Sequence, residues 1–130
     1  MYDLHAHILP ALDDGATTEA VTLEMATAAA QSGTRVLVAT PHMKDVNEMS
    51  SVGVAVTLCS EMARKIESNG TALELVMGME NHVVPELPLM FRDGRALPIN
   101  GNGYALIEMP FFGHPNYLEE TLFEVQLLGI

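Results

Sequence analysis

The chain has 130 residues, of which 48% are hydrophobic, and it carries a formal net charge of −11 at pH 7. This length fits a single domain, residues 1–130, with enough apolar side chains for a packed core. The six basic residues form no stripe and no apolar run approaches a membrane span, so we expect neither nucleic-acid binding nor membrane insertion.

Apolar runs bounded by turn residues predict about four strands, covering residues 1–5, 35–40, 73–77 and 104–109. Apolar positions at helical spacing predict three helices. The first is capped by Thr17 and stops at Ser32-Gly33, the second runs from about Ser51 to Asn69-Gly70, and the third runs from Pro115 to Gly129. We expect residues 43–49 and 81–103 to be irregular, because they are polar or rich in proline and glycine.

Strands therefore alternate with helices, and the connections are long enough for parallel pairing of successive strands. These features predict the α/β fold class. The sequence contains no internal repeat and no linker that would divide it into two domains.

The first strand ends in His5-Ala6-His7, and Asp14 lies in the turn that follows. Residues two apart in an extended strand point to the same face, so both imidazoles can reach one spot. Imidazole and carboxylate groups together are ligands for Zn, Mn or Fe. This motif alone is a weak indication, because two histidines near a terminus are often unremarkable.

The other predicted strands also end in metal-ligating residue types. His42 follows the second strand, Glu80 follows the third, and Glu108 lies near the end of the fourth. In parallel α/β folds, active sites form at the carboxyl ends of the strands. The coincidence across all four strands predicts a polynuclear metal site. Bound metal ions would allow this acidic protein to act on an anionic substrate.

Cys59 is the only cysteine, so no disulfide can form within the chain. The first residues also lack the basic-then-apolar pattern of a signal peptide, because Asp3 and His5 interrupt it. We therefore expect a cytoplasmic protein.

These motifs together resemble the polymerase-and-histidinol-phosphatase (PHP) superfamily. Within it, the sequence is similar to the bacterial metal-dependent protein-tyrosine phosphatases associated with tyrosine autokinases of capsule and exopolysaccharide synthesis. The resemblance is carried, in family order, by Asp3-Leu-His-Ala-His-Ile-Leu-Pro10, Asp13-Asp14-Gly15, Ala39-Thr-Pro-His42, Gly78-Met-Glu80 and Tyr104-Ala-Leu-Ile-Glu-Met-Pro110.

The resemblance implies the N-terminal part of a distorted seven-stranded β/α barrel that holds up to three metal ions, Mn with Fe and Zn as alternatives. It implies hydrolysis of phosphotyrosine in a protein, such as a tyrosine autokinase, by water that the metals activate. His5 and His7 would hold one metal, Glu80 would bridge it to a second that Glu108 also ligates, and Asp14 and His42 would hold the third. His114 is a candidate substrate contact.

Some family features do not occur in these 130 residues. Further ligands, in a His-x-x-Arg motif and an Asp-x-His pair, belong beyond the position of Ile130, where the next strand would begin. Each metal would then lack at least one ligand, so we expect near-background phosphatase activity from this chain by itself. We also expect self-association through the uncovered barrel edge.

Two other interpretations remain open. The chain could be a non-catalytic truncated remnant, or another PHP phosphoesterase such as a histidinol-phosphate phosphatase. The Asp-Asp-Gly turn and the Ile-Glu-Met-Pro strand argue against the latter. Asp13 is expected to shape the turn or orient a ligand rather than bind metal. His82 is expected at the surface or lining the site. Lys44 is expected in a solvated loop, with a phosphate contact as the alternative.

Overall fold

The computed structural model describes all 130 residues and contains five strands, five α-helices and one 3-10 turn. The strands are β1 (Tyr2–Ala6), β2 (Val36–Ala39), β3 (Glu74–Met77), β4 (Glu80–His82) and β5 (Leu106–Glu108). The helices are α1 (Glu19–Gln31), α2 (Met43–Met49), α3 (Val52–Ser68), α4 (Leu87–Arg92) and α5 (Leu118–Gln126), with the 3-10 turn at Ile99–Gly101. None of these helices combines the length and the apolar character that a membrane crossing requires.

The strands form two parallel sheets that meet beside β2. One sheet has the order β1-β2-β3 and the other pairs β4 with β5. A single parallel bridge between His42 and Glu80 connects the segment after β2 to the start of β4. This bridge brings the carboxyl ends of β1 and β2 next to the second sheet, which is where the candidate ligands lie.

Strand β1 contains an irregularity between Asp3 and Ala6, the stretch that includes His5. Asp3 pairs with Leu37, and the next pair joins Ala6 to Ala39, so β1 has one more residue than β2 between these two pairs. Such a bulge re-aims the side chains of the strand that carries it. The Thr40 hydroxyl accepts a hydrogen bond from the Ala6 backbone N–H at 3.0 Å, which anchors the end of β1.

Helix α3 shows how the sequence builds the core. Its Ser51 N-cap accepts a hydrogen bond from the Val54 N–H, satisfying one of the unpaired donors of the first turn. Its buried residues recur at helical spacing on one face that packs on β3; they are Ala55, Cys59, Met62 and Ile66. Burial of this face supplies much of the hydrophobic stabilisation between α3 and the sheet.

The predicted α/β class and parallel pairing are confirmed. The first two predicted helices correspond to α1 and α3 and are also confirmed, apart from the cap of α1. That cap is Thr18, whose side chain accepts from the Val21 N–H, and not Thr17. The two residues are adjacent and chemically equivalent, so sequence did not separate them. The last helix begins at Leu118 rather than Pro115, because residues 115–118 form a separate turn closed by a bond from the Leu118 N–H to the Pro115 carbonyl.

The predicted irregular segments are wrong in two places. Residues 43–49 form α2, which buries only Met43 and Val46 and is too short to show a helical period. Residues 81–103 contain most of β4, all of α4 and a 3-10 turn, so the chain has five strands rather than about four. The sequence of β4, Glu-Asn-His, is polar throughout and carries no strand pattern.

Candidate metal centre

The six predicted ligands converge at the junction of the two sheets. They form three overlapping groups, within each of which the ligand atoms lie no more than 4.8 Å apart: His5, His7 and Glu80; His7, Asp14 and His42; and His42, Glu80 and Glu108. The residues come from the end of β1, the loop after it, the start of α2, the start of β4 and the end of β5. The structure therefore brings all six together, while their binding of metal stays a prediction.

Glu80 lies at the centre of this cluster. Its Oε1 is 3.2 Å from Nε2 of His5, and its Oε2 is 3.2 Å from Nε2 of His7 and 3.0 Å from Nδ1 of His42. The Glu80 side chain is buried, whereas the imidazoles are partly accessible. One carboxylate thus contacts histidines from three separate segments.

The surroundings of Glu80 fit a divalent metal ion. Its Oε2 is buried and has no hydrogen-bond partner, although two imidazole nitrogens lie beside it. An unpaired buried carboxylate oxygen is costly, and a cation held between it and the imidazoles would remove that cost. Nε2 of His5 and Nε2 of His7 are 3.1 Å apart. A tetrahedral zinc site with bonds of about 2.1 Å separates its ligand atoms by roughly 3.4 Å, close to these spacings.

The remaining carboxylates extend the cluster on either side of His42. Nε2 of His42 is 3.6 Å from Oδ1 of Asp14, and its Nδ1 is 3.8 Å from Oε2 of Glu108. Asp14 also lies 3.7 Å from Nδ1 of His7, and its side chain is 78% exposed. His42 and His7 each belong to two groups. The family resemblance, in contrast, assigns each of these histidines to a single metal.

Gly15 allows the loop after β1 to fold back across His7. A Cβ atom at Gly15 would lie 2.0 Å from the His7 carbonyl oxygen and 2.4 Å from its Cβ. The Ala16 N–H donates to that same carbonyl at 3.0 Å. Only glycine fits at this approach, which explains physically why the Asp-Asp turn is followed by glycine.

Asp13 contacts two members of the cluster, the His7 ring and the His42 backbone. Its Oδ2 lies 2.8 Å from Nδ1 of His7 and accepts from the His42 backbone N–H at 3.2 Å, and its Oδ1 accepts from the Gly15 N–H at 3.0 Å. The side chain is only 1% exposed. This placement agrees with the expected orienting role and separates Asp13 from the exposed candidate ligand Asp14.

Asn81 is a supporting residue that sequence reasoning missed. It is fully buried, and its Nδ2 donates to the carbonyls of Met79, Leu97 and Leu106 at 2.9–3.0 Å. Its Oδ1 accepts from the Leu97 N–H at 3.2 Å. These bonds fix β4, and with it Glu80, against β5. The only signal was a polar residue next to a candidate ligand in a segment that we expected to be irregular.

A cavity of about 610 Å³ opens beside the cluster, on the side of α2. His42, Lys44, His82 and Glu108 line it, and Nδ1 of His82 lies 3.3 Å from Oε2 of Glu108. His114 is exposed in the loop after β5 and belongs neither to this lining nor to any ligand group. The structure does not bring it to the cluster, and its substrate contact stays a prediction.

Cys59 has the chemistry of a structural thiol. It is buried in α3, and this burial raises its pKa to about 11. The thiol is therefore protonated at neutral pH, whereas a catalytic cysteine needs a thiolate. No other cysteine is present in the sequence.

Comparison with known proteins places these residues in a family. The family described as "Capsular polysaccharide synthesis, CpsB/CapC" matches residues 1–130. The chain is 35% identical over 132 residues to the tyrosine-protein phosphatase YwqE of Bacillus subtilis (strain 168). It is 26% identical over 129 residues to the putative tyrosine-protein phosphatase CapC of Staphylococcus aureus. Each alignment covers 99% of this chain and 51% of the relative.

A solved structure has the same fold over this part of its chain. It comes from work on YwqE from Bacillus subtilis and CpsB from Streptococcus pneumoniae, described as unique metal-dependent tyrosine phosphatases, and matches with a TM-score of 0.89 at 31% identity. The match covers 99% of this chain and 52% of the other. The chain thus spans about half the length of the relatives it matches. With the family matching every residue from 1 to 130, the chain belongs to the CpsB/CapC family of capsular polysaccharide synthesis.

Proposed function

We propose that this chain supplies six of the metal ligands of a metal-dependent protein-tyrosine phosphatase. Its substrate would be phosphotyrosine in a protein, namely a tyrosine autokinase that controls capsule or exopolysaccharide synthesis. The observation that carries the proposal is the buried, unpaired Oε2 of Glu80, which lies between His7 and His42. The tyrosine-phosphatase names of the similar proteins support the reaction class.

The cofactor we propose is Mn, with Fe and Zn as alternatives, and up to three ions in the complete protein. His5, His7, Asp14, His42, Glu80 and Glu108 would hold them. Bound divalent ions would offset the charge of a phosphate ester next to these carboxylates and lower the pKa of water at the site. Without cations, three carboxylates at one edge would repel the substrate.

The chain's own residues divide the remaining work between orientation and substrate binding. Lys44 is the one basic side chain that lines the cavity, and we assign to it attraction of the incoming phosphate. Met43, Val84 and Met90 give the same cavity an apolar part suited to an aromatic ring. At about 610 Å³ the cavity lies within the usual size range of small-molecule sites, so a phosphotyrosine side chain fits.

We further propose that this fold is the first part of a seven-stranded barrel. Strands β1 and β5 each lie at the edge of their sheet, and Tyr2 and Leu4 on β1 are exposed, as are Phe111 and Phe112 after β5. Exposed edges and apolar patches favour pairing with other chains. Self-association is therefore expected wherever the rest of the barrel is not present. The single buried thiol suits a reducing compartment, which supports a cytoplasmic location.

A chimeric protein tests the proposed function most directly. The 130-residue chain is fused to the half of YwqE that its alignment does not cover, and Mn²⁺-dependent hydrolysis of a phosphotyrosine peptide is measured. We expect turnover by the chimera and near-background turnover by the 130-residue chain alone. The Glu80→Gln chimera should lose at least about 100-fold in kcat/KM, because a shared ligand is removed.

The control is Glu61→Gln, an exposed carboxylate on α3 that lies outside both this cavity and the three ligand groups, which should leave turnover nearly unchanged. A folded chimera that hydrolyses no phosphotyrosine peptide with any of the three metals would contradict the proposal. Equal turnover by the Glu80→Gln and unsubstituted chimeras would contradict the role of Glu80.

A further inference from the structure

We propose that Asp13 is a positioning residue that fixes the tautomer of His7 and so presents the lone pair of His7 Nε2 to a metal ion. The inference rests on the proposed function, because it takes the cluster around Glu80 to be a metal site. It assigns a task to a residue outside the candidate ligand set, since Asp13 belongs to none of the three groups.

The contact with Asp13 determines which ring nitrogen of His7 carries the proton. Oδ2 of Asp13 lies 2.8 Å from Nδ1 of His7, and an ionised carboxylate can only accept a hydrogen bond. Nδ1 of a neutral His7 therefore carries the proton, and Nε2 carries the lone pair. That Nε2 lies 3.2 Å from Oε2 of Glu80 and 3.1 Å from Nε2 of His5, inside the cluster. Metal-ligating histidines commonly donate their other nitrogen in this way.

Two backbone N–H groups also donate to the Asp13 carboxylate. The Gly15 N–H points at Oδ1, and the His42 N–H shares Oδ2 with His7. Three donors thus surround a side chain that is 1% exposed. A carboxylate satisfies all three, whereas an asparagine cannot. Whichever way its amide turns, the NH₂ group faces at least one backbone N–H.

The His42 contact extends the effect of Asp13 to a second candidate ligand. The bond from the His42 N–H crosses from the segment after β2 to the loop after β1, at 3.2 Å. One carboxylate therefore orients the His7 ring and anchors the backbone of His42. These two histidines are the ones that each belong to two ligand groups. Asp13 is thus placed to keep two of the groups in register with each other.

The tautomer of His7 can be measured without any substitution. Long-range ¹H–¹⁵N NMR of the metal-free chain at pH of about 8, with His7 signals assigned from a His7→Gln variant, distinguishes a protonated Nδ1 from a protonated Nε2. We expect the Nδ1–H form for His7. A predominant Nε2–H form would overturn the inference, whatever the metal affinity of the chain.

The consequence for metal binding is tested with Zn²⁺ titration calorimetry. Asp13→Asn should weaken Zn²⁺ binding by about 10–100-fold and move the His7 proton to Nε2. Asp3→Asn is the matched control, because Oδ1 of Asp3 also accepts from a histidine backbone, the His5 N–H at 3.2 Å, but at an exposed position. It should change Zn²⁺ affinity less than about twofold.

The outcomes separate this inference from the proposed function. If Asp13→Asn lowers thermal stability but leaves the His7 tautomer and the Zn²⁺ affinity unchanged, Asp13 is only structural and the inference fails. If the unsubstituted chain binds no Zn²⁺, the metal site fails, and the NMR experiment still decides the tautomer. If Asp13→Asn does not fold, the His7 tautomer of the unsubstituted chain decides the inference.

Discussion

The two sheets contribute to the candidate metal centre in different ways. The sheet β1-β2-β3 and its loops supply the imidazoles, and part-buried hydrogen bonds accepted by Asp13 and Thr40 hold these segments. The two-stranded sheet β4-β5 supplies the carboxylates of Glu80 and Glu108. Its β5 edge is free, and Phe111 and Phe112 beyond it are 92% and 94% exposed.

This contrast indicates that the two halves of the site depend on different forces. The histidine side is fixed by hydrophobic packing of long helices on a three-stranded sheet, together with the hydrogen bonds that Thr40 and Asp13 accept. The carboxylate side is fixed mainly by Asn81, whose amide joins β4 to β5 and to the connection between them. The ratio between lost metal affinity and lost stability should therefore differ between a substitution on the histidine side and one on the carboxylate side.

The largest effect is expected from Glu80→Gln. It removes the carboxylate shared by two ligand groups, so Zn²⁺ affinity should fall by more than the ~10–100-fold typical of an outer partner. The metal-free chain should not lose stability, because the new amide can donate to the imidazole nitrogens that leave Oε2 unpaired. Calorimetric titration and thermal unfolding in chelator check both parts. A clear loss of stability without metal would contradict this view of Glu80.

The next largest effect is expected from Asn81→Ala. Removing the amide takes a hydrogen-bond donor from the carbonyls of Met79, Leu97 and Leu106, at a cost of about 3 kcal/mol in the free energy of unfolding. Urea denaturation measures this change. Asn47→Ala is the matched control, since Asn47 donates to two carbonyls at a more exposed position and should cost about 1 kcal/mol. Equal losses for both variants would show that Asn81 has no special role.

A smaller effect concerns the open edge. The double substitution Phe111→Ser and Phe112→Ser removes the most exposed aromatic rings, so it should shift the chain toward monomer in sedimentation velocity. Thermal stability should hardly change, because exposed substitutions typically alter it by less than about 0.5 kcal/mol each. Val54→Ser, on the outer face of α3, is the control and should leave association unchanged. A monomeric unsubstituted chain would refute the proposed self-association.

The smallest effect is a pH dependence from Cys59. Burial raises its folded pKa from 9.0 to about 11, so the folded state holds the thiol proton more tightly than the unfolded state. This contribution to stability is complete below about pH 9 and is lost as the pH rises toward 11. Cys59→Ala should flatten the pH dependence of unfolding in that window. An unchanged slope would show that the thiol is not desolvated as described.

Sequence alone predicted the elements whose side chains repeat at a fixed spacing. The face of α3 that carries Cys59, Met62 and Ile66 is visible in the sequence because burial follows the helical period. Helix α2 was not predicted, because seven residues with two buried positions show no period. Strand β4 was missed because hydrogen bonds of Asn81, rather than an apolar pattern, hold it in place.

The candidate site was more predictable than the fold around it. His5, His7, His42, Glu80 and Glu108 follow strands or end them, and parallel pairing alone brings such positions to one edge. The bulge in β1 and the approach of Gly15 to His7 were not predictable, since both depend on contacts between distant segments. The sequence likewise could not predict which ligands share a group, because each group combines residues from distant segments.

The proposed function depends above all on metal binding by the cluster around Glu80. Its most direct test is a crystal structure of the chain grown with Zn²⁺, with data collected at the zinc absorption edge. We predict an anomalous difference peak at bonding distance, roughly 2.0–2.2 Å, from Nε2 of His5, Nε2 of His7 and a carboxylate oxygen of Glu80. Saturating Zn²⁺ with no peak among these three side chains, or with peaks only at exposed carboxylates elsewhere, would contradict the claim.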